Sequence, residues 1–152
     1  MKANTHHPNH RAESIIFATL SFFVGVVVFF LNKIAHTFFL FWTLDRFDSF
    51  LHLIGGISVG IFFTVIADIY ITSWSNLTPK KQSHKFLMVA ILSSLIVGLI
   101  WEFYEYTAGL TNYSHKFFKL TMLDSSSDIL MDLIGGIFGF LVYWINTYKY
   151  RK

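Results

Sequence analysis

The sequence is short of the residues that soluble domains and redox sites need. It contains no cysteine, which excludes disulfides, thiolate metal sites and cysteine nucleophiles. Charged residues make up 14% of its 152 residues, against about 25% in an average soluble domain. Only two residues are proline and 19% are aromatic, a composition that excludes a disordered protein. The mean hydropathy of +0.53 therefore indicates a single membrane domain.

Several motifs of soluble enzymes are also missing. The chain has no P-loop, no dinucleotide-binding fingerprint, no G-x-S-x-G elbow and no H-E-x-x-H motif. Lysine and arginine outnumber aspartate and glutamate by 12 to 9. In a membrane protein, basic residues beside the spans indicate which loops face the cytoplasm. The excess of positive charge is therefore not evidence for binding nucleic acid, which we do not expect as a partner.

What the sequence does contain is four long charge-free runs. They are residues 14–32, 49–67, 86–101 and 133–148. The first two have 19 residues each, close to the roughly 20 that cross a bilayer. The last two have 16 each and would reach only about 24 Å as helices. To cross the bilayer, the third helix must therefore continue past Glu102, and the fourth must begin before Asp132. We therefore predict an all-α membrane protein with transmembrane helices at about 14–32, 47–72, 85–107 and 125–148.

The segments outside these helices are short. Residues 1–13 form an N-terminal tail and residues 149–152 a basic C-terminal tail. No small-residue cleavage site follows the first run, so we interpret it as an uncleaved helix rather than a signal peptide. Residues 33–44 are too few to span again, and we expect a short interfacial segment anchored by Trp42. Eight basic residues flank one membrane face and four flank the other, which predicts that both termini are cytoplasmic.

Acidic residues gather at one end of the predicted helices. Seven of the nine lie there: Asp45, Asp48, Glu102, Glu105, Asp124, Asp128 and Asp132. Successive helices run antiparallel, so the start of the second, the end of the third and the start of the fourth lie at one face, which we predict to be the outer one. Ionisable residues within a span normally face the bundle interior, because facing lipid is costly. The sequence thus predicts a polar site at this face.

The spacing of these residues places them on common helix faces. Asp48 and His52 are four residues apart, as are Asp128 and Asp132, and such pairs share a face. Stacked acids are tolerated when some are protonated or when a cation lies among them. His52 is the only histidine within a predicted span. Carboxylates with one imidazole suit Mg²⁺, Mn²⁺ or Zn²⁺.

A purely structural interpretation accounts for part of this pattern. Acids in the first turn of a helix favour its dipole, and an aspartate before a serine run is a good N-cap. This covers the aspartates nearest to helix starts, Asp48, Asp124 and Asp128. It does not cover Glu102 and Glu105, because negative charge is unfavourable at a helix C-terminus.

An internal repeat relates the two halves of the chain. Residues 48–56 and 128–136 share the pattern D-x-x-x-[HD]-L-I-G-G, 80 residues apart. The four helices therefore form two related hairpins, a parallel repeat. Small-xxx-small patterns occur at Gly56 and Gly60 and again at Gly135 and Gly139. Such patterns let helix backbones approach closely.

Three separated motifs also resemble a known family. Asp48 and His52 are similar to a D-[KR]-x-x-H pattern with Ser49 in the basic position. Residues 101–106, WEFYEY, are similar to a Y-E-x-x-E-W pattern, and the acids and glycines of 124–136 resemble a D-x-x-D-x-x-x-D…G-[GA] run. These motifs are those of the YjdF-like family and, more loosely, of VanZ-like proteins, which are associated with glycopeptide resistance. The resemblance implies a multi-pass protein of the bacterial cytoplasmic (inner) membrane with largely uncharacterised biochemistry.

The residues favour a site that binds a divalent cation or a polar lipid headgroup. Its candidate metal ligands are His52, Asp48, Asp128 and Asp132. Catalysis is a further hypothesis: a metal-bound water attacks a lipid-linked ester or phosphoester, and one of the third helix's two glutamates, Glu102 or Glu105, acts as general base.

Two other classes of function stay open. The first is a proton- or ion-coupled transporter, motivated by the same buried acids. Asp68 alone is available for it near the opposite face. The second is a non-catalytic membrane or partner protein, in which the acids only cap and pack helices. The expected partners are the lipid bilayer and a lipid headgroup or lipid-linked substrate, and the sequence leaves the oligomeric state open.

Overall fold

The computed structural model describes residues 8–38, 46–74, 79–107 and 118–147, and within them the only regular elements are four α-helices. They are α1 (Pro8–Thr37), α2 (Phe47–Trp74), α3 (Pro79–Thr107) and α4 (Phe118–Thr147). Each is long and apolar enough to cross a membrane. The prediction of an all-α membrane protein with four spans is confirmed, and its outward-facing side chains contact the lipid bilayer.

The helices extend beyond the hydrophobic runs. α1 begins at Pro8, a residue that suits a first helical turn, so part of the predicted tail is helical. α1 also includes residues 33–37 of the predicted interfacial segment, and the rest of that segment, with Trp42, lies outside the described residues. α4 begins at Phe118, which makes Asp124 its seventh residue and not its N-cap. Capping therefore does not explain Asp124.

α2 is the central helix of the bundle. It packs against α1, α3 and α4, most extensively against α4. α2 and α4 run parallel, and the glycines confirm the close approach that their spacing predicts. A Cβ atom added at Gly56 would lie 2.8 Å from the Cα of Asp132, and one at Gly60 would lie 2.8 Å from the Cα of Gly136.

The bundle places apolar side chains outside and many polar ones inside. Large hydrophobic residues such as Phe22, Phe23 and Phe138 are more than half exposed, as a surface that faces lipid acyl chains requires. Phe86, Ala90 and Phe140 form a small buried apolar cluster between α3 and α4. The polar groups of the interior lie mainly toward the two ends of the bundle.

One of these ends, which we call the Asp68 end, contains a hydrogen-bonded network across three helices. The hydroxyl of Tyr143 on α4 donates to Asp68 Oδ2 on α2 over 2.6 Å. Since that hydroxyl already donates its proton, Ser14 on α1 donates to it, over 2.9 Å. Phe17 packs edge-on against the Tyr143 ring. The network ties α1, α2 and α4 together.

Candidate metal centre

His52 lies at the centre of the polar site at the opposite end of the bundle. It is in the second turn of α2 and only 5% exposed. Its Nδ1 lies 2.9 Å from Oδ2 of Asp132 on α4. An ionised carboxylate only accepts hydrogen bonds, so the Nδ1–H of His52 donates to it, and in the neutral imidazole Nε2 then keeps an unshared electron pair. The two residues occupy equivalent positions of the sequence repeat.

Gly98 on α3 makes room for this pair. A Cβ atom at Gly98 would lie 2.5 Å from Oδ2 of Asp132 and 3.1 Å from its Cγ. Any side chain there would displace the carboxylate from His52. The hydrophobic run that contains Gly98 carries no sequence signal for this role, because the constraint comes from another helix.

Two further carboxylates face the free nitrogen of His52. Glu102 Oε1 on α3 lies 3.6 Å from Nε2, and Asp48 Oδ1 lies 3.9 Å from it. All three atoms are buried and have no hydrogen-bond partner. With His52 neutral in this tautomer and both acids ionised, all three atoms are acceptors, so a proton or a cation has to lie among them. Burying such groups without a partner is unfavourable.

Asp128 and Glu105 complete the cluster. Potential ligand atoms of Asp48, His52 and Asp128 lie within 4.8 Å of one another, and the same holds for His52, Glu102 and Glu105. Ser49 Oγ donates to Asp128 Oδ1 over 2.7 Å. The cluster thus combines side chains from α2, α3 and α4.

Glu105 is held by two donors from outside the acidic set. Asn32 Nδ2 on α1 donates to its Oε1 over 2.8 Å, and Trp101 Nε1 donates to the same oxygen over 2.9 Å. The Trp101 ring also stands edge-on to His52, with 6.5 Å between centroids. These contacts fix the orientation of the Glu105 carboxylate.

With this geometry established, the chain can be compared with known proteins. One family model, described as a predicted membrane protein (DUF2238), matches residues 8–149. The chain belongs to this family. The DUF2238 match covers all four helices and both ends of the bundle, while its description states no activity. No curated protein and no solved structure matches, and nothing in these comparisons supports the VanZ resemblance.

In this DUF2238 protein the six candidate site residues come together as one cluster. They are Asp48, His52, Glu102, Glu105, Asp128 and Asp132. Asp124 is exposed instead, and Asp45 lies outside the described residues. Asn32, Ser49 and Trp101 were not assigned to the site from the sequence. The one available signal was an asparagine at the end of an otherwise apolar run.

Proposed function

We propose that this protein binds one divalent cation at this end of the bundle through His52, Asp48 and Glu102. The observation that carries the proposal is the convergence of three buried polar atoms, none of which has a hydrogen-bond partner. The carboxylate oxygens lie 3.6 and 3.9 Å from His52 Nε2, longer than hydrogen bonds. His52 belongs to both groups of three whose ligand atoms lie within 4.8 Å of one another, so a cation at Nε2 would draw Glu102 in from one group and Asp48 from the other. An imidazole with carboxylates suits Mg²⁺, Mn²⁺ or Zn²⁺.

The other acids take supporting positions in this proposal. A metal-bound histidine commonly donates its second ring N–H to a carboxylate, which fixes its orientation, and Asp132 is bonded to His52 in that manner. We therefore assign Asp132 to positioning rather than to direct ligation. Asp128 lies within reach as a further ligand.

The reaction class that fits this arrangement is hydrolysis of a lipid-linked ester or phosphoester. A cation held by these residues would supply Lewis-acid activation of water for attack on the carbonyl carbon or phosphorus. Glu105 would accept the proton of that water and return it to the leaving alcohol as the bond to the alcohol breaks. Glu105 is the better base of the two glutamates in this scheme because Glu102 is occupied as a ligand. The support is its position beside the cluster, where Asn32 and Trp101 fix its orientation.

The cellular setting is part of the same proposal. The motifs at 48–52 and 101–106 favour a YjdF-like protein of the bacterial inner membrane. The excess of basic residues on one side, eight against four, favours cytoplasmic termini and a site that faces the outer leaflet.

Metal analysis of the detergent-purified full chain tests the cation site. The wild type, equilibrated with Mn²⁺ or Zn²⁺ and separated from free metal, should retain one equivalent. Glu102→Gln should retain much less, because an amide is a weak ligand. Asp124→Asn is the matched control: it makes the same change in charge near the cluster, on an exposed side chain. A wild type that retains no metal, or equal losses in both variants, would refute the proposal.

A proton- or ion-coupled transporter is the second candidate, and one observation favours it. Asp68 places a carboxylate that is 1% exposed at the other end of the bundle, so acids occupy both ends. Flux into liposomes that responds to a proton gradient and is lost in Asp132→Asn would support transport. Flux that Asp68→Asn leaves unchanged would count against it.

A further inference from the structure

A cavity of about 100 Å³ extends from the acidic cluster toward the middle of the helices. His52 and Asn32 line it at the cluster end. Farther along, Val28 of α1, Val59 of α2 and Val97 of α3 form apolar walls. The cavity thus joins a polar end to an apolar interior.

Gly55 helps to keep this space open. A Cβ atom at Gly55 would meet only the side chain of Val28, at 3.8 Å, so this glycine is not required for close packing of helices. The adjacent Gly56 differs, because it packs directly on the backbone of α4. The backbones of α1 and α3 flank the cavity and seldom approach each other, since α1 packs chiefly on α2, while the Asn32–Glu105 hydrogen bond joins their side chains at the cluster end.

At the polar end of the cavity, one buried hydrogen-bond acceptor has no hydrogen-bond donor. Asn32 is 1% exposed, and its Nδ2 is committed to Glu105. This contact fixes the orientation of the amide, and Oδ1 is left buried without a hydrogen-bond partner. A ligand that fits here therefore brings an O–H or N–H donor beside an apolar segment.

We propose that the cavity binds the headgroup-proximal methylenes of one acyl chain of a bilayer lipid, whose hydroxyl or amide donor bonds Asn32 Oδ1. An apolar cavity of about 150 Å³ holds a benzene molecule, so the smaller space here fits a short stretch of chain rather than a ring system. The helices lie among such lipids. The proposal deepens the cation site by naming its substrate class, and it rests on that site only for the position of the headgroup.

Photo-crosslinking in phosphatidylcholine nanodiscs tests the cavity directly. The probe is a monoacylglycerol with a diazirine a few carbons from its ester. In the wild type, mass spectrometry should map the label to the α1, α2 and α3 walls. Val59→Phe fills the cavity and should lose this label. Val142→Phe makes the same substitution on a side chain of α4 that is 42% exposed, and it should keep the label.

A second probe tests the polar end. The di-O-methyl ether of the same lipid keeps the chain and has no donor, so it should label the wild type more weakly. Asn32→Leu should remove the difference between the two probes. Label spread evenly over the lipid-facing surface, or full labelling of Val59→Phe, would overturn the proposal.

Measuring the bound metal distinguishes a failure of the cavity proposal from a failure of the cation-site proposal. Val59→Phe should retain the wild-type amount of Mn²⁺, which also shows that the variant is folded. Gly55→Val fills the same space from α2, and it should also lose the label. If the wild type retains no metal but is still labelled at the cavity walls, the cation site alone is refuted. If it retains metal but is not labelled at those walls, the lipid-binding cavity alone is refuted.

Discussion

The two ends of the bundle use similar polar side chains in different ways. At the Asp68 end, the Tyr143 hydroxyl donates to the carboxylate and accepts from Ser14. At the cluster end, His52 Nε2 faces Asp48 and Glu102 with no hydrogen bond between them. A hydroxyl can both donate and accept, whereas ionised carboxylates only accept.

The comparison shows that the balance of donors and acceptors, rather than the number of buried acids, distinguishes a structural network from a ligand site. The Asp68 network joins three helices through its own hydrogen bonds. The cluster has a surplus of acceptors, which a cation or a substrate donor has to satisfy. Changes at the two ends should therefore have separable effects on metal binding and on stability.

The largest expected effect is that of His52→Ala on metal affinity. Loss of the imidazole removes a ligand and leaves the carboxylates to repel one another, so Mn²⁺ affinity should fall by more than about 100-fold, the upper range for outer-shell changes. Equilibrium binding followed by electron paramagnetic resonance measures this. Tyr143→Phe, at the Asp68 end, should keep wild-type affinity. Equal losses in both variants would remove the distinction between the ends.

Asp132→Asn should weaken metal binding by about 10–100-fold. The carboxamide can donate to Nδ1 of His52, which would move the ring proton to Nε2 and block the nitrogen that faces the cluster. The same Mn²⁺ titration checks this, with Asp124→Asn as its unaffected control. Unchanged affinity in Asp132→Asn would contradict the positioning role.

The same alanine substitution should have different effects on stability at two adjacent glycines of α2. Gly56→Ala forces a methyl group against the backbone of α4, which should lower stability by about 1–3 kcal/mol. Gly55→Ala has room and should be neutral or stabilising by up to about 1 kcal/mol, because alanine favours a helix. Unfolding in mixed detergent micelles measures both. Similar destabilisation by the two variants would contradict the difference in packing between the glycines.

Ser14→Ala should have the smallest effect. It removes one hydrogen bond to Tyr143 and should lower stability by about 0.5–1.5 kcal/mol. Its metal affinity should equal that of the wild type. A loss of metal in this variant would show that the two ends are coupled.

Much of the site could be predicted because its determinants are local. Hydropathy locates spans, and the antiparallel order of α2, α3 and α4 brings their acidic ends to one level. This is why the sequence brings Glu102, Asp128 and His52 to the same end of the bundle. Spacing places Asp124 on the same face of α4, yet its side chain is exposed, because it lies one turn nearer to the end of the helix than Asp128.

The partners of individual atoms could not be predicted from the sequence. Asn32 and Glu105 are 73 residues apart, and the space that Gly98 leaves for Asp132 crosses from one helix to another. No local pattern encodes such distances.

The sequence by itself determined the membrane setting, the four helices and the end of the bundle where the acids gather. Those properties follow from composition and periodicity, which act along one helix at a time. Only the tertiary structure decided that His52 donates to Asp132 and leaves Nε2 facing two carboxylates. It also decided that Tyr143 completes the hydrogen bonding of Asp68. The physical reason is that a hydrogen bond depends on separations of a few tenths of an ångström between atoms of different helices, and packing alone sets those separations.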